Sequence, residues 1–392
     1  MPITIWGLSL AQALLVTGNI LLVSIFSLIR QQLTDEPLLM TAPVAAQFIG
    51  LILSTMPAAH LMQKFGRKKG FVVGNVIGVC GALVAMQGLL MHSLAIFALG
   101  TFLTGMAIGT SQQYRFAALD ECASPEMHSR AISLVMSGGV LAAFLGPNLA
   151  VWSRVWYAEN PFVGAFFGLF AIYVIALILI IILPLKKHEH KVQQQSNQQP
   201  RSYSELLKQP VLLAALISGA IGYGLMVFLM TATPISMQKD GFEFSEIATV
   251  IQWHVLGMFV PSFFTGHLIR WAGARSIILL GCVLLISSAL VGLWGTSFVY
   301  YFVALMFLGV CWNFTFIGAT SLLTLTYQPS EKGKVQGLNE FIVFSASAVG
   351  SFMAGPLIGM LGWSWSNLLS IPLSLIALVL ILRIPLKAVQ AR

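Results

Sequence analysis

The sequence predicts an all-α membrane protein of twelve transmembrane helices, organised as two pseudo-symmetric six-helix bundles. Three observations carry this expectation. Apolar runs of about 20 residues, the length that crosses a hydrocarbon core of about 30 Å, recur from one end of the chain to the other. Basic residues gather in alternate loops. Landmarks of the first half also return in the second at a nearly constant separation. In lipid a helix satisfies its own backbone groups without closing into a barrel, so runs of this length read as helices.

The 392 residues are 57% hydrophobic and 9% charged, with a mean hydropathy of +0.87, whereas soluble globular chains carry about 25% charged residues. The apolar runs fall at 5–29, 41–63, 70–91, 94–117, 130–152, 162–184, 210–235, 245–268, 275–295, 298–323, 338–361 and 363–384. The first has no basic N-terminal region and no small-residue cleavage site, so it reads as an uncleaved helix rather than a signal peptide. Spans 2 and 3 are parted by the basic Lys64–Lys69 stretch, spans 4 and 5 by a loop holding Pro125, Glu126 and Arg130, and spans 8 and 9 by Arg270–Arg275. Between spans 6 and 7 the polar stretch from Lys186 to Gln209 has the composition of a solvated linker. The expected division is therefore an N-terminal bundle over 1–185, a cytoplasmic linker over 186–209 and a C-terminal bundle over 210–392.

With both termini cytoplasmic, about 17 Lys and Arg residues fall inside and about 3 (Arg30, Arg154, Lys239) outside, and an odd number of helices would spoil this bias. The expected location is a plasma membrane, bacterial inner membrane in kind. The net charge of +8 then reflects loops beside anionic lipid, not nucleic-acid binding. Cys80, Cys122, Cys282 and Cys311 lack ligand spacing and are expected to be buried, inert thiols. No metal and no cofactor is expected. The Asn313-Phe-Thr315 sequon lies within a span, out of reach of glycosylation.

The two halves repeat. Ala59-His60-Leu61-Met62-Gln63-Lys64-Phe65-Gly66-Arg67-Lys68 aligns with Gly266-His267-Leu268-Ile269-Arg270-Trp271-Ala272-Gly273-Ala274-Arg275. Pro125-Glu126 with Arg130 returns as Pro329-Ser330-Glu331 with Lys334, and Gly146-Pro147 returns as Gly355-Pro356. Such an internal duplication is the signature of two-fold transporter folds. Small-xxx-small spacings (Gly70, Gly74, Gly78; Gly105, Gly109) mark close helix packing, and Pro147, Pro234, Pro261 and Pro356 mark kinks.

The loop between spans 2 and 3 resembles the signature of the major facilitator superfamily, small-x-Leu-x-Asp-Arg/Lys-x-Gly-Arg-Arg/Lys, through Lys64, Gly66, Arg67 and Lys68. Ala59 and Gln63 stand where the signature has Gly and Asp, and Arg270 replaces the same acid in the second copy. The resemblance implies a secondary transporter whose halves rock about a central site lined by helices 1, 4, 7 and 10. It also implies a gate at the 2–3 loop, for which the candidates are Lys64, Arg67, Asp120, Glu126, Arg130 and Arg270.

An ionisable or polar group inside a span is costly unless it faces a cavity or a partner. Arg115, in Gln112-Gln113-Tyr114-Arg115 late in span 4, offers a bidentate clamp for an anionic group, with the alternative of pairing to Asp120 or a loop carboxylate. Asn19, Tyr223, Trp312 and Asn313 sit on spans 1, 7 and 10, and each amide can equally serve as helix-to-helix glue. His254 is the imidazole deepest in a span, a candidate for proton coupling or else a neutral ring held by a neighbouring carbonyl. Glu340 and Asp120 are expected at the cytoplasmic ends of their spans. A cavity with Arg115 and no acid favours an anionic, zwitterionic or neutral organic solute, moved by alternating access. Drug exporters of the resembled superfamily carry an Arg-x-x-Gln-Gly pattern in helix 4, which Thr101–Gly105 lacks, so a multidrug or metabolite efflux antiporter is the alternative.

A channel is the rival from another class, and a nucleotide-driven pump would need the phosphate-binding loop that this chain lacks. No HExxH or clustered nucleophile and base points to an enzyme. The expected partners are a small-molecule substrate, a proton and membrane lipids, with no nucleic acid and a monomeric state.

Overall fold

The computed structural model describes residues 2–33, 36, 39, 41–121, 128–157, 159–185 and 201–384. In chain order the helices are α1 (Ile3–Leu33), α2 (Ala42–Phe65), α3 (Arg67–Leu90), α4 (Leu94–Ser111), the short α5 (Tyr114–Asp120), α6 (His128–Trp152) and α7 (Pro161–Ile182). They continue with the short α8 (Tyr203–Leu207), α9 (Pro210–Lys239), α10 (Phe244–Phe259), α11 (Ser262–Trp294), α12 (Phe298–Leu323), α13 (Lys332–Met360) and α14 (Gly362–Leu382).

Ten helices among the described residues are long and apolar enough to cross a membrane, and α2 contributes the shorter apolar stretch Ala42–Ala58. The eighth span predicted from sequence is divided: α10 stops at Phe259, and the chain resumes after Val260 and Pro261 as the first part of α11. Gly273, with φ 82° and ψ 151°, then turns α11 into its second part, which is the ninth span. Grouped this way, the segments form the expected twelve. The fourth span does not run unbroken to residue 117: α4 ends at Ser111, and a turn at Gln112–Gln113 starts α5.

The sequence repeat has a structural cause. Gly66 and Gly273 occupy matching places with φ +88° and +82°, backbone that a Cβ disfavours. The basic residue two positions on does the same work in each half. Lys68 Nζ donates to the Leu183 carbonyl at the end of α7 (3.0 Å), and Arg275 donates to Ile381 and Leu382 carbonyls at the end of α14 (3.2 and 2.9 Å). A cation there meets the open carbonyls and the negative end of the helix dipole.

Packing repeats as well. In the first half α1 lies on α6, α2 and α3 lie on α4, and α3 lies on α7; in the second, α9 lies on α13, α10 and α11 on α12, and α11 on α14. The halves meet along α2 with α13 and α6 with α10, while α1 approaches α9. Gly105 and Gly109 let α4 run against the α2 backbone at Gln47 and Leu51. The outer faces are apolar, as lipid demands: Ile175, Ile178, Ile182, Val283 and Val299 are exposed. Trp6, Trp152, Trp294 and Trp365 are exposed near helix ends, where membrane interfaces favour the indole ring. Cys282 and Cys311 are buried as expected, but Cys80 is exposed on the outer surface of α3, because its position on the helix turns away from the bundle. Cys122 lies outside the described residues.

Candidate functional site

Between the halves lies a cavity whose walls follow helical periodicity. On α1 the lining residues are Gln12, Val16, Asn19 and Ile20; on α9 they are Tyr223, Met226, Val227, Met230 and Thr231. Both sets step by three or four residues, which keeps one face of each helix toward the centre. Gln112 and Arg115, three apart across the α4–α5 turn, reach the cavity, as do Trp312 and Phe316, four apart on α12. Phe259 of α10 and Asn339, Glu340 and Phe344 of α13 complete this part of the wall.

The site is predominantly aromatic. Trp312 and Phe316 stack with ring centroids 5.3 Å apart and planes inclined by 13°. Tyr223 meets Trp312, Phe316 and Phe344 edge-on at 5.4, 5.3 and 5.8 Å, and Phe259 meets Trp312 at 5.8 Å. Offset and edge-to-face contacts of this kind hold the rings in set orientations. About 1100 Å³ of empty space lies among the lining side chains, mouth included.

Arg115 Nη2 donates to Glu340 Oε1 at 2.6 Å, across the divide between α5 and α13, with both side chains about four-fifths buried (20% and 24% exposed). This corrects the expectation of an acid-free cavity, in which Glu340 stood apart at the cytoplasmic end of its span. The bend after α4 brings Arg115 to α13, and the two charges offset each other. The cavity wall therefore carries a positive and a negative group in contact, not a free cation.

Uncharged polar atoms of three lining residues lack partners among the described residues. Gln12 Oε1, Thr231 Oγ1 and the Trp312 indole Nε1 are buried without a hydrogen bond, in residues 5%, 0% and 4% exposed. Leaving such a group unsatisfied costs about 1–3 kcal/mol. Sequence patterning singles out Trp312 but not Gln12 or Thr231, although Gln12 lies seven residues before Asn19 and Thr231 eight after Tyr223, on the same faces.

The remaining candidates lie elsewhere. Asn313 points about 100° away from Trp312; its amide donates to Met258 O (2.6 Å) and Ser262 Oγ (2.7 Å) and accepts from Thr265 (2.5 Å), joining α12 to α10 and α11. Tyr114 is fully buried against α3, where Asn75 donates to its hydroxyl at 2.8 Å and Phe71 packs edge-on. Gln113 is half-buried and outside the cavity lining. His254 is buried between α10 and α12, outside the lining; its Nδ1 donates to Leu305 O at 2.8 Å, and its Nε2 has no partner among the described residues.

Among the gating candidates Arg67 forms an ion pair with Asp120. Lys64 is exposed, with its ammonium 5.3 Å from the Phe65 ring centroid, and Arg270 is exposed on α11. Glu126 and the side chain of Arg130 lie outside the described residues. At the opposite end of the molecule the halves are tied by Thr41, whose hydroxyl donates to Phe352 O (2.8 Å) and accepts from Gly355 N (3.3 Å), and by Asn148 donating to Gln252 (3.3 Å). Cross-half contacts thus exist at both ends of the cavity.

Beyond the cavity, Glu331 is fully buried and receives the Arg201 guanidinium at 2.7 Å on each oxygen, while Gln328 N and Arg201 N donate to it as well. These donors hold its carboxyl far below the usual range, at about 2. The pair pins the residues just before α8 to the α12–α13 connection.

A family model described as Major Facilitator Superfamily matches residues 8–350 and 228–391. The chain is 40% identical over 385 residues to the riboflavin transporter RfnT of Brucella anthropi, covering 98% of this chain and 96% of that one. It is 25% identical over 373 residues to the MFS-type transporter YdeG of Bacillus subtilis, covering 91% and 85%. In fold it is similar to a bacterial homologue of the human lysosomal transporter Spinster, with TM-score 0.73, 13% identity and coverage of 98% and 97%.

Proposed function

The chain belongs to the major facilitator superfamily, and from that premise we propose that it carries riboflavin, or a similarly flat and neutral heteroaromatic metabolite, across the plasma membrane by alternating access. The observation that carries this reading is the aromatic lining contributed by Tyr223, Phe259, Trp312, Phe316 and Phe344 from four helices. Flat faces of this kind suit a planar ring system, and stacking between such faces adds to the burial of apolar area. The Arg115–Glu340 pair favours a neutral solute over an anion, since an anion would have to compete with Glu340 for the guanidinium. The 40% identity to a riboflavin transporter supports the same choice.

In the proposed cycle the bundles 1–185 and 210–392, joined by the linker 186–209, rock about the cavity. The Arg115–Glu340 contact closes the cytoplasmic end, and the Thr41 and Asn148 contacts close the other. Each set parts in turn, and both termini stay cytoplasmic. Purified protein in liposomes preloaded with riboflavin should take up labelled riboflavin at an accelerated rate by exchange. Absence of exchange and of riboflavin binding would overturn the substrate reading; uptake that internal riboflavin does not accelerate would point to a channel.

A further inference from the structure

We propose that Gln12, Thr231 and Trp312 are the hydrogen-bonding set that reads the polar edge of the ligand, and that the ligand class is therefore a planar heterocycle bearing an amide or imide. This rests on the reading of the cavity as the transport site for a flavin-like solute. The three residues come from α1, α9 and α12, so the set draws on both halves of the molecule. All are at least nine-tenths buried, line the cavity, and hold a polar atom that no described residue satisfies.

The unmet valences are complementary. Gln12 Oε1 is an acceptor and calls for an N–H or O–H of the ligand, whereas the Trp312 indole N–H is a donor only and calls for a carbonyl or ring nitrogen. The Thr231 hydroxyl serves either role. A purely apolar aromatic would leave all three unsatisfied. An imide edge supplies a donor flanked by acceptors, and Trp312 already belongs to the aromatic wall on which such a ring would lie. Because Gln12 belongs to one half and Thr231 and Trp312 to the other, a ligand bonded to all three also draws the halves together, which couples recognition to closure.

The test measures riboflavin binding to purified wild-type protein and to Gln12→Met, Thr231→Val and Trp312→Phe, using quenching of flavin fluorescence. Gln12→Met and Thr231→Val keep the approximate shape and remove the polar atom, and Trp312→Phe keeps an aromatic face while removing the indole N–H together with part of the ring area. Each variant is expected to bind roughly tenfold to a hundredfold more weakly. With 3-methylriboflavin, which lacks the imide proton, the Gln12→Met penalty should vanish; a penalty that vanishes instead with lumiflavin, which lacks only the polyol chain, would overturn the imide reading. Thr231→Val should leave the melting temperature of the empty protein unchanged or raised, which separates ligand recognition from a structural role. Wild-type affinity within about twofold in all three variants would overturn the proposal while leaving riboflavin as substrate. A wild-type protein that binds no riboflavin would overturn both.

Discussion

Arg115 and Glu340 are 225 positions apart in sequence and share a 2.6 Å charge-assisted hydrogen bond that ties α5 to α13 on the wall of the central cavity. A pair that is only partly covered retains some screening by water, so its strength suits a contact that must break in every cycle. Glu340→Gln should shift the protein toward the state open at that end and slow riboflavin counterflow by roughly tenfold. Exchanging the two residues, Arg115→Glu with Glu340→Arg, should recover a substantial part of the rate. Failure of the exchange to recover, with expression maintained, would indicate that Arg115 acts on the solute itself.

The Arg201–Glu331 pair yields a pH dependence of defined sign. The folded-state carboxyl lies at about 2, below its ordinary value of 4.5, so the stabilisation is fully present above about 4.5 and is lost as pH falls toward 2. Glu331→Gln should lower the melting temperature by roughly 5 °C at pH 7. The gap from wild type should narrow progressively below about pH 4.5. A gap that stays constant over this range would show that the pair contributes packing and not charge.

Gly66 and Gly273 test the duplication directly. A Cβ built at either position meets nothing within 4 Å, so the cost of Gly66→Ala or Gly273→Ala is conformational, about 1–2 kcal/mol each. Gly→Asn should cost at least as much at both sites, because φ 88° and 82° with ψ 155° and 151° lie outside the left-handed helical well that Asn tolerates. Thermal melts of the four variants check this; a clearly smaller loss for Asn than for Ala would contradict it.

His254→Gln examines proton coupling. The Nδ1 bond to Leu305 O joins α10 to α12, so the substitution should cost about 0.6 kcal/mol in stability, a typical value for a hydrogen bond between membrane helices. Solute exchange and pH-driven accumulation should both persist, since the ring is sealed from the cavity lining. Loss of accumulation with exchange intact would instead assign the coupling proton to this imidazole.

How far the site was legible follows from helix geometry. Asn19, Gln112, Arg115, Tyr223 and Trp312 stand on helices that resemblance to a known family places around the centre, and all five line the cavity. Gln113, Tyr114 and Asn313 do not, because neighbours on a helix diverge by about 100° and a choice between them needs the helix rotation. Glu340 was hidden differently: it lies eight residues into α13, and its depth depends on how far that helix extends beyond the membrane-length run predicted for it.

Hydropathy and the internal repeat were sufficient for the all-helical membrane fold and its two related halves. These properties are local or periodic, and lipid leaves the backbone no alternative to the helix. The rotation of each helix about its axis and the meeting of residues from opposite halves are set by packing among all the helices. Only the folded chain therefore decides that Arg115 faces a carboxylate across the cavity, and that Gln12, Thr231 and Trp312 are left together with unmet hydrogen bonds.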